Sequence, residues 1–365
     1  MTRVLLDATA VPADHRGVGR YLDGLVGALR DRVMVVCQQR DAELMSSLGA
    51  AEVVPVSQTR VARFAWEQTG LPRLAQRLRA EVLHCPHYTM PVRAGRPVVV
   101  TVHDLTFFTE PAVHTAGRRR LFTQATRFAV GHAAAVVVPS RSTGDELRRI
   151  VGDPRAVVVA HHGVDTALFH PPTAEEKRCA AADLDVGDYV AFLGTIEPRK
   201  NLPALVRAWV GACADRTDPP ALVLAGGAGW DAAELDDAVA AVPPGLTVRR
   251  PGYLPLERLR GYLGGAAVVA YPALAEGFGL PVLEAMACGA AVLTTPRTSL
   301  PEVGGDAVAY AEPDVPSLTD ALTGLLDHPG RRAELGAAGI ARAAGFTWEA
   351  CAEAHLRAYR TAARA

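Results

Sequence analysis

Lysine is almost missing from this chain. Of 38 basic residues only Lys177 and Lys200 are lysines, so each retained ammonium, a compact point charge unlike the guanidinium fork, marks a position where the difference matters. No apolar run approaches the roughly eighteen residues that cross a bilayer. The opening segment, Met1 to Asp7, moves straight into a strand pattern without signal-peptide anatomy. The six cysteines (Cys37, Cys85, Cys179, Cys213, Cys288, Cys351) contain no C-x-x-C pair. Their spacing excludes a disulfide frame or a zinc site and reads as reduced, mostly buried thiols in a cytoplasmic protein. Net charge is nearly absent as well, at −1, and no nucleic-acid partner is expected.

What is present is alternation. Short β-branched runs (3–7, 33–37, 52–56, 82–85, 97–103, 134–139, 156–160) alternate with helical patterns, the mark of parallel sheets covered by helices. After the polar stretch Phe169 to Thr173 the alternation restarts (189–193, 221–225, 246–249, 266–271, 290–294). With 365 residues the chain is too long for one ordinary core. The expectation is two α/β domains, 1–170 and 171–347, with a final helix in 348–365 that follows the last strand and is free to pack back on the first. Charge divides in the same way: residues 1–171 hold 21 basic and 15 acidic side chains, residues 172–365 hold 17 and 24. In such sheets ligands bind beyond the carboxyl ends of the strands, so the loop after Asp7, His103-Asp104 after the fifth strand and Gly194 to Asn201 are where chemistry is expected.

The most informative segment is Glu276-Gly-Phe-Gly-Leu-Pro-Val-Leu-Glu284. Pro281 reads as the first residue of a helix, where its missing N–H costs nothing. The turn before it would aim free backbone N–H groups at one spot, a ready anion site. The flanking carboxylates accept only from hydroxyl or amino groups. A ligand that satisfies both has phosphates in its middle and hydroxyls at its ends, as a nucleotide sugar does.

Taken with Leu193-Gly-Thr-Ile-Glu-Pro-Arg-Lys-Asn-Leu202, Gly163 to Pro171, Gly252-Tyr-Leu254 and Arg16 to Tyr21, that segment makes the chain resemble retaining glycosyltransferases of the GT-B fold, family four. The resemblance covers nearly the whole length and implies two Rossmann-like domains whose parallel sheets face a central cleft. It implies that Glu276 holds donor-sugar hydroxyls and Glu284 the ribose. Gly277, Phe278, Gly279 and Leu280 would offer backbone to the sugar or diphosphate. Lys200 would neutralise the diphosphate, and Arg199 lies beside it. The family's usual arginine after the loop glycine is replaced by Thr195 here, so that duty falls to Arg199 or, more weakly, to Thr195. His103, with Asp104, would sit against the donor sugar near the reacting centre; Gly17, Val18 and Gly19 would approach the donor phosphate and shape the acceptor site. Gly252, Tyr253 and Leu254 would lie by the base. No nucleophilic carboxylate stands out, which agrees with the front-face route inferred for the family, and no metal or cofactor is implied. Asp183-Leu-Asp185 matches the D-x-D of metal-dependent transferases but sits away from the strand ends and reads as a solvated turn.

The branch-like segments Trp66-Glu-Gln68, His84 to Tyr88 and His103 to Phe108 resemble bacterial surface-polysaccharide mannosyltransferases, which tilts the donor toward GDP-mannose with UDP-sugars next. The acceptor would be a glycan, a lipid-linked glycan or a small-molecule hydroxyl. Two basic, aromatic-interleaved stretches, Arg60 to Trp66 and Arg118 to Phe128, suggest peripheral contact with the inner membrane face, against the plain reading of core aromatics and solvated arginines. Rivals remain. Gly227-x-Gly229-x-x-Ala232 followed by Arg249 and Arg250 has the form of an NADP-binding turn, although Lys200 and the glutamates have no role in an oxidoreductase. A non-catalytic sugar-nucleotide binder, a phosphorylase and an epimerase fit the same architecture.

Overall fold

The computed structural model describes residues 2–13, 15, 17–57, 59–111, 115–227, 229 and 233–365, with only the backbone of Arg60 and Val61. The chain forms two compact units, residues 1–163 together with 346–365, and residues 164–345. The division falls earlier than the expected 170. Pro171 and Pro172 already lie against Gly289 and Gly264 of the second unit, so the polar stretch there belongs to that unit.

The first unit is a seven-stranded parallel sheet: β1 (Val4–Asp7), β2 (Val33–Gln38), β3 (Glu52–Val56), β4 (Val82–Cys85), β5 (Val98–Thr101), β6 (Ala135–Val138) and β7 (Val157–Val159). Their spatial order is β3-β2-β1-β4-β5-β6-β7. Strands covered on both faces read as continuous apolar runs, and their side chains alternate between two cores. Val4, Leu6, Val33 and Val35 point toward the helices Val18–Leu29 and Trp348–Ala362. Leu5, Met34 and Val36 face the helices Arg60–Arg77 and Ala116–His132.

A buried polar chain fastens the C-terminal helix to this sheet. His355 Nδ1 donates to the Cys351 carbonyl at 2.8 Å, so its Nε2 must accept from Tyr21 Oη, also at 2.8 Å. With its proton committed, Tyr21 accepts from Thr101 Oγ1 at 3.1 Å. Thr101 in turn accepts from His84 Nε2 at 2.9 Å, which leaves His84 Nδ1 to accept from Tyr359 Oη at 2.9 Å. One carbonyl at the end, which can only accept, thus fixes every proton along the line.

The second unit is a six-stranded parallel sheet of β8 (Tyr189–Leu193), β9 (Ala221–Ala225), β10 (Val248–Gly252), β11 (Val268–Tyr271), β12 (Val292–Thr294) and β13 (Ala309–Tyr310), ordered β10-β9-β8-β11-β12-β13. The last, two-residue strand escaped the sequence reading. Among the described residues no helix is long and apolar enough to cross a membrane.

Candidate functional site

In the second unit the strand order reverses between β8 and β11, and a crevice beyond the carboxyl ends opens at such a switch point. Lys200 ends the 3-10 turn Pro198–Lys200 that follows β8. Glu276 lies in the loop after β11, held there because the Leu274 N–H donates to the Arg199 carbonyl at 2.9 Å and the Glu276 N–H to Thr298 Oγ1 at 2.9 Å. The two expected residues therefore meet. Glu276 Oε1 accepts from Lys200 Nζ and from Tyr271 Oη at 2.8 Å, and it forms an ion pair with Arg199 Nη1 at 2.7 Å, which itself donates to the Ala275 carbonyl at 2.6 Å. Lys200 also bonds Tyr271 Oη, and Arg199 reaches Glu197 Oε1 at 2.6 Å. Burial alone would raise the Glu276 carboxyl, but Arg199 and Lys200 outweigh it and bring it down to about 2. Burial and then Arg199 hold the Lys200 ammonium below its ordinary value, against the pull of Glu276 and Glu197. The result is a group of two cations and two carboxylates in which Lys200 and Tyr271 are buried and Arg199, Glu197 and Glu276 are partly buried.

The helix after this loop is Leu280–Ala287, so Pro281 is its second residue and not its first. Gly279 takes φ 100 ahead of it, and a Cβ there would stand 2.8 Å from Leu300 Cδ2. The Val282 and Leu283 N–H groups both go to the Gly279 carbonyl. The N–H groups of Gly279 and Leu280 have no partner among the described residues. Ser299 Oγ lies 2.9 Å from the Glu276 carbonyl and 3.0 Å from that of Phe278. Glu284 is buried inside the helix.

The neighbouring glycines have a different task from the one an NADP turn would give them. The Ile196 N–H donates to the Gly227 carbonyl at 3.0 Å and the Gly229 N–H to the Ile196 carbonyl at 3.1 Å. A Cβ at Gly226 or Gly229 would collide with the backbone of Gly194 or Ile196. These glycines let the loop carrying Thr195 lie against the one after β9. Ala228, Trp230, Asp231 and Ala232 lie outside the described residues. Arg249 and Arg250 are engaged by Asp185 and Asp236, and Asp183 pairs with Arg258 at 3.0 Å, so the D-x-D carboxylates are surface ion-pair partners. Gly252 ends β10 with φ 75, its carbonyl accepts from the Gly226 N–H at 2.7 Å, and Tyr253 beyond it is exposed, with Leu254 half-buried.

In the first unit His103 follows β5. Its Nε2 donates to the Pro86 carbonyl at 2.7 Å, which leaves Nδ1 as an acceptor, and burial lowers its pKa. Its ring meets Tyr21 edge-on at 5.0 Å. Asp104 Oδ1 is committed to Thr106, accepting from its N–H at 3.1 Å and from Oγ1 at 2.9 Å. Gly17 adopts φ 49, ψ −99 before the helix Val18–Leu29, a backbone closed to other residues, and Gly19 packs over His15. Arg16 lies outside the described residues. Sequence reasoning missed His15, whose Nδ1 stands 2.9 Å from Asp23 and Nε2 3.2 Å from Asp41; burial lowers its pKa, but the two carboxylates more than reverse this. It missed Tyr271, Glu197, Thr298 and Ser299 too. The only available signal was Tyr271, a polar tip at the carboxyl end of an apolar strand.

One expectation needs correction. Arg63 is buried and paired with Glu67 at 3.2 Å, and Trp66 packs against the core. Glu67 also accepts from Thr89 Oγ1 at 2.6 Å. The first basic stretch therefore turns Arg63 and Trp66 inward, away from any membrane; the Arg60 side chain lies outside the described residues.

Two parallel sheets, each covered by helices, with a cation pair and a helix start at the switch point of the second, define a GT-B glycosyltransferase. Residues 15–168 match the family described as Glycosyltransferase Family 4, and residues 180–342 the one described as Glycosyl transferases group 1. O-antigen chain mannosyltransferase B of Escherichia coli is 31% identical over 282 residues, covering 76% of this chain and 74% of that protein. D-inositol 3-phosphate glycosyltransferase of Mycobacterium avium (strain 104) is 31% identical over 328 residues, covering 79% and 73%. The chain belongs to glycosyltransferase family four and is a transferase enzyme. Sucrose-phosphate synthase from Thermosynechococcus elongatus shares the fold with a TM-score of 0.78 at 20% identity over 99% of this chain and 98% of that one. Anabaena HepE, solved in complex with UDP-glucose, does so with a TM-score of 0.79 at 17% identity over 97% and 98%.

Proposed function

We propose that this enzyme transfers a hexose, with retention, from a nucleoside-diphosphate sugar to a hydroxyl of a glycan, a lipid-linked glycan or a small molecule. The observation that carries the reading is the convergence of Lys200 and Arg199 on Glu276 beside the helix start. Departure of the diphosphate builds negative charge, and preorganised cations and N–H groups aimed at it lower the barrier. Lys200 and Arg199 take this role, with Gly279 and Leu280 completing the cradle, so no metal is needed there. Glu276 receives hydroxyls of the sugar, and Glu284 those of the ribose. Gly252, Tyr253 and Leu254 border the base, and Thr195 lines the phosphate side. In the first unit this reading assigns His103, Asp104 and the Gly17 to Gly19 loop to the sugar and the acceptor. The acceptor oxygen bonds to the anomeric carbon as the bond to the diphosphate breaks, and the acceptor proton passes to the departing phosphate oxygen. GDP-mannose is the favoured donor, on the strength of a mannosyltransferase among the relatives, with UDP-sugars next. The enzyme works in the cytoplasm, against an anionic membrane face met by the second basic stretch, where Arg118, Arg119, Arg120 and Arg127 are exposed while Phe122 is buried.

A screen of nucleotide sugars by mass spectrometry, with wild type, Glu276→Ala and Lys200→Ala, tests this reading. Transfer or slow donor hydrolysis by wild type and loss of about 10²-fold or more in each variant is expected. Full activity in both variants would refute the assigned site.

A further inference from the structure

Glu276 uses its two oxygens unequally. Arg199 Nη1 at 2.7 Å, Tyr271 Oη at 2.8 Å and Lys200 Nζ all converge on Oε1, and among the described residues no hydrogen bond reaches Oε2. A carboxylate oxygen offers about two acceptor sites, so Oε1 is fully taken and a further hydroxyl must go to Oε2. Within the group on Oε1, the Tyr271 hydroxyl is chemically distinct. Lysine and arginine only donate, whereas a phenol gives one proton and accepts others. Its proton goes to Glu276, which can only accept, and its lone pairs take the Lys200 ammonium. The ring cannot drift: Tyr271 is 1% exposed and stacks on Phe192 at 5.7 Å, with Lys200 Nζ 4.7 Å from its own centroid.

We propose that Tyr271 is a positioning residue of the transfer reaction: it holds Glu276 with Oε1 turned to the cations and Oε2 to the donor sugar, and keeps it so when the diphosphate draws Lys200 away. The flexible lysine stem alone does not fix that orientation; a hydroxyl on a wedged ring at the end of the central strand does. This inference rests on the nucleotide-sugar reading of the site.

The test compares wild type with Tyr271→Phe in the full chain, which removes one oxygen and keeps the ring. Three quantities are measured: Kd for the nucleoside diphosphate alone, Kd for the nucleotide sugar, and kcat. The diphosphate Kd should stay within about twofold, because Arg199 and Lys200 remain. The affinity gained from the sugar should fall about fivefold or more and kcat at least tenfold, a split that loss of stability does not produce. Wild-type kcat and an unchanged affinity ratio in the variant would overturn the role of Tyr271 while leaving the site reading intact. A wild type that binds and turns over no nucleotide sugar would overturn both. Should Tyr271→Phe fail to fold, 3,5-difluorotyrosine at 271, a stronger donor of the same shape, replaces it. A twofold or larger change in kcat would support the role, and an unchanged kcat would overturn it.

Discussion

Lys200 is where the scarcity of lysine acquires a physical reason. Its ammonium has three protons, and it bonds both Glu276 Oε1 and Tyr271 Oη. A point charge can be shared in this way at the end of a buried stem, and here the stem lies against Gly194, close enough that a Cβ there would stand 3.8 Å from Cε. A guanidinium is larger, planar and rigid, and Arg199 already occupies the adjacent space. Lys200→Arg should therefore lose about as much kcat as Lys200→Ala, on the order of 10²-fold, and its melting temperature should fall as well because the larger group overfills a buried site. A Lys200→Arg enzyme keeping about a third of wild-type turnover would mean that positive charge alone suffices. Lys200, Glu276 and the helix start were singled out in the sequence by residue type, by spacing and by the family resemblance. Tyr271 was not, because its importance depends on β11 lying beside β8, and no local pattern encodes strand order.

Most strands were legible as elements, since burial on both faces leaves an uninterrupted apolar run such as Val98-Val-Val-Thr101. β13 has two residues, too few for any period. The sequence left open where the final helix goes, because its docking is written in single polar atoms: His355 and Tyr359 reach back to Tyr21 and His84. That arrangement has a cost in acid. Burial holds His355 neutral, pushing its pKa down to about 4 against the bond to Cys351, with His103 adding to the effect. Burial, His355 and His103 likewise lower His84. An unfolded histidine takes up its proton near pH 6.5, so between 6.5 and about 4 the unfolded chain binds more protons than the folded one. Stability from this network is complete above pH 6.5 and declines as pH falls through that window, by about 2 kcal/mol at pH 5 for His355 alone at 1.4 kcal/mol per unit. Melting temperatures from pH 7.5 to 5 should fall more steeply in wild type than in His355→Gln. Identical slopes would show that His355 does not titrate on unfolding.

At the scale of the whole chain, net charge is a misleading guide. The total is −1, yet the return of residues 346–365 to the first unit gives that unit 24 basic and 16 acidic side chains, against 14 and 23 in the second. The contrast is sharper than a cut at the linker suggests, because the final segment brings three arginines against Glu349 and Glu353, and Asp165 falls to the second unit. A molecule judged by its total would ignore anionic lipid. At about 0.1 M salt, however, charges more than roughly 10 Å apart are largely screened, so attraction is decided by the local face. The helix Ala116–His132 has no acidic residue, and it presents Arg118, Arg119, Arg120 and Arg127 to solvent beside the 42% exposed Leu121. Near such a surface each arginine contributes about 1 kcal/mol toward an anionic membrane. Co-sedimentation at 0.1 M salt should therefore recover the protein on vesicles containing anionic lipid and not on neutral ones, with binding lost near 0.5 M. The triple change Arg118→Glu, Arg119→Glu and Arg120→Glu should abolish it while leaving transfer to a soluble acceptor unaffected. Equal recovery on both vesicle types, or a triple variant that binds as wild type does, would mean that the basic face of the first unit serves something other than lipid.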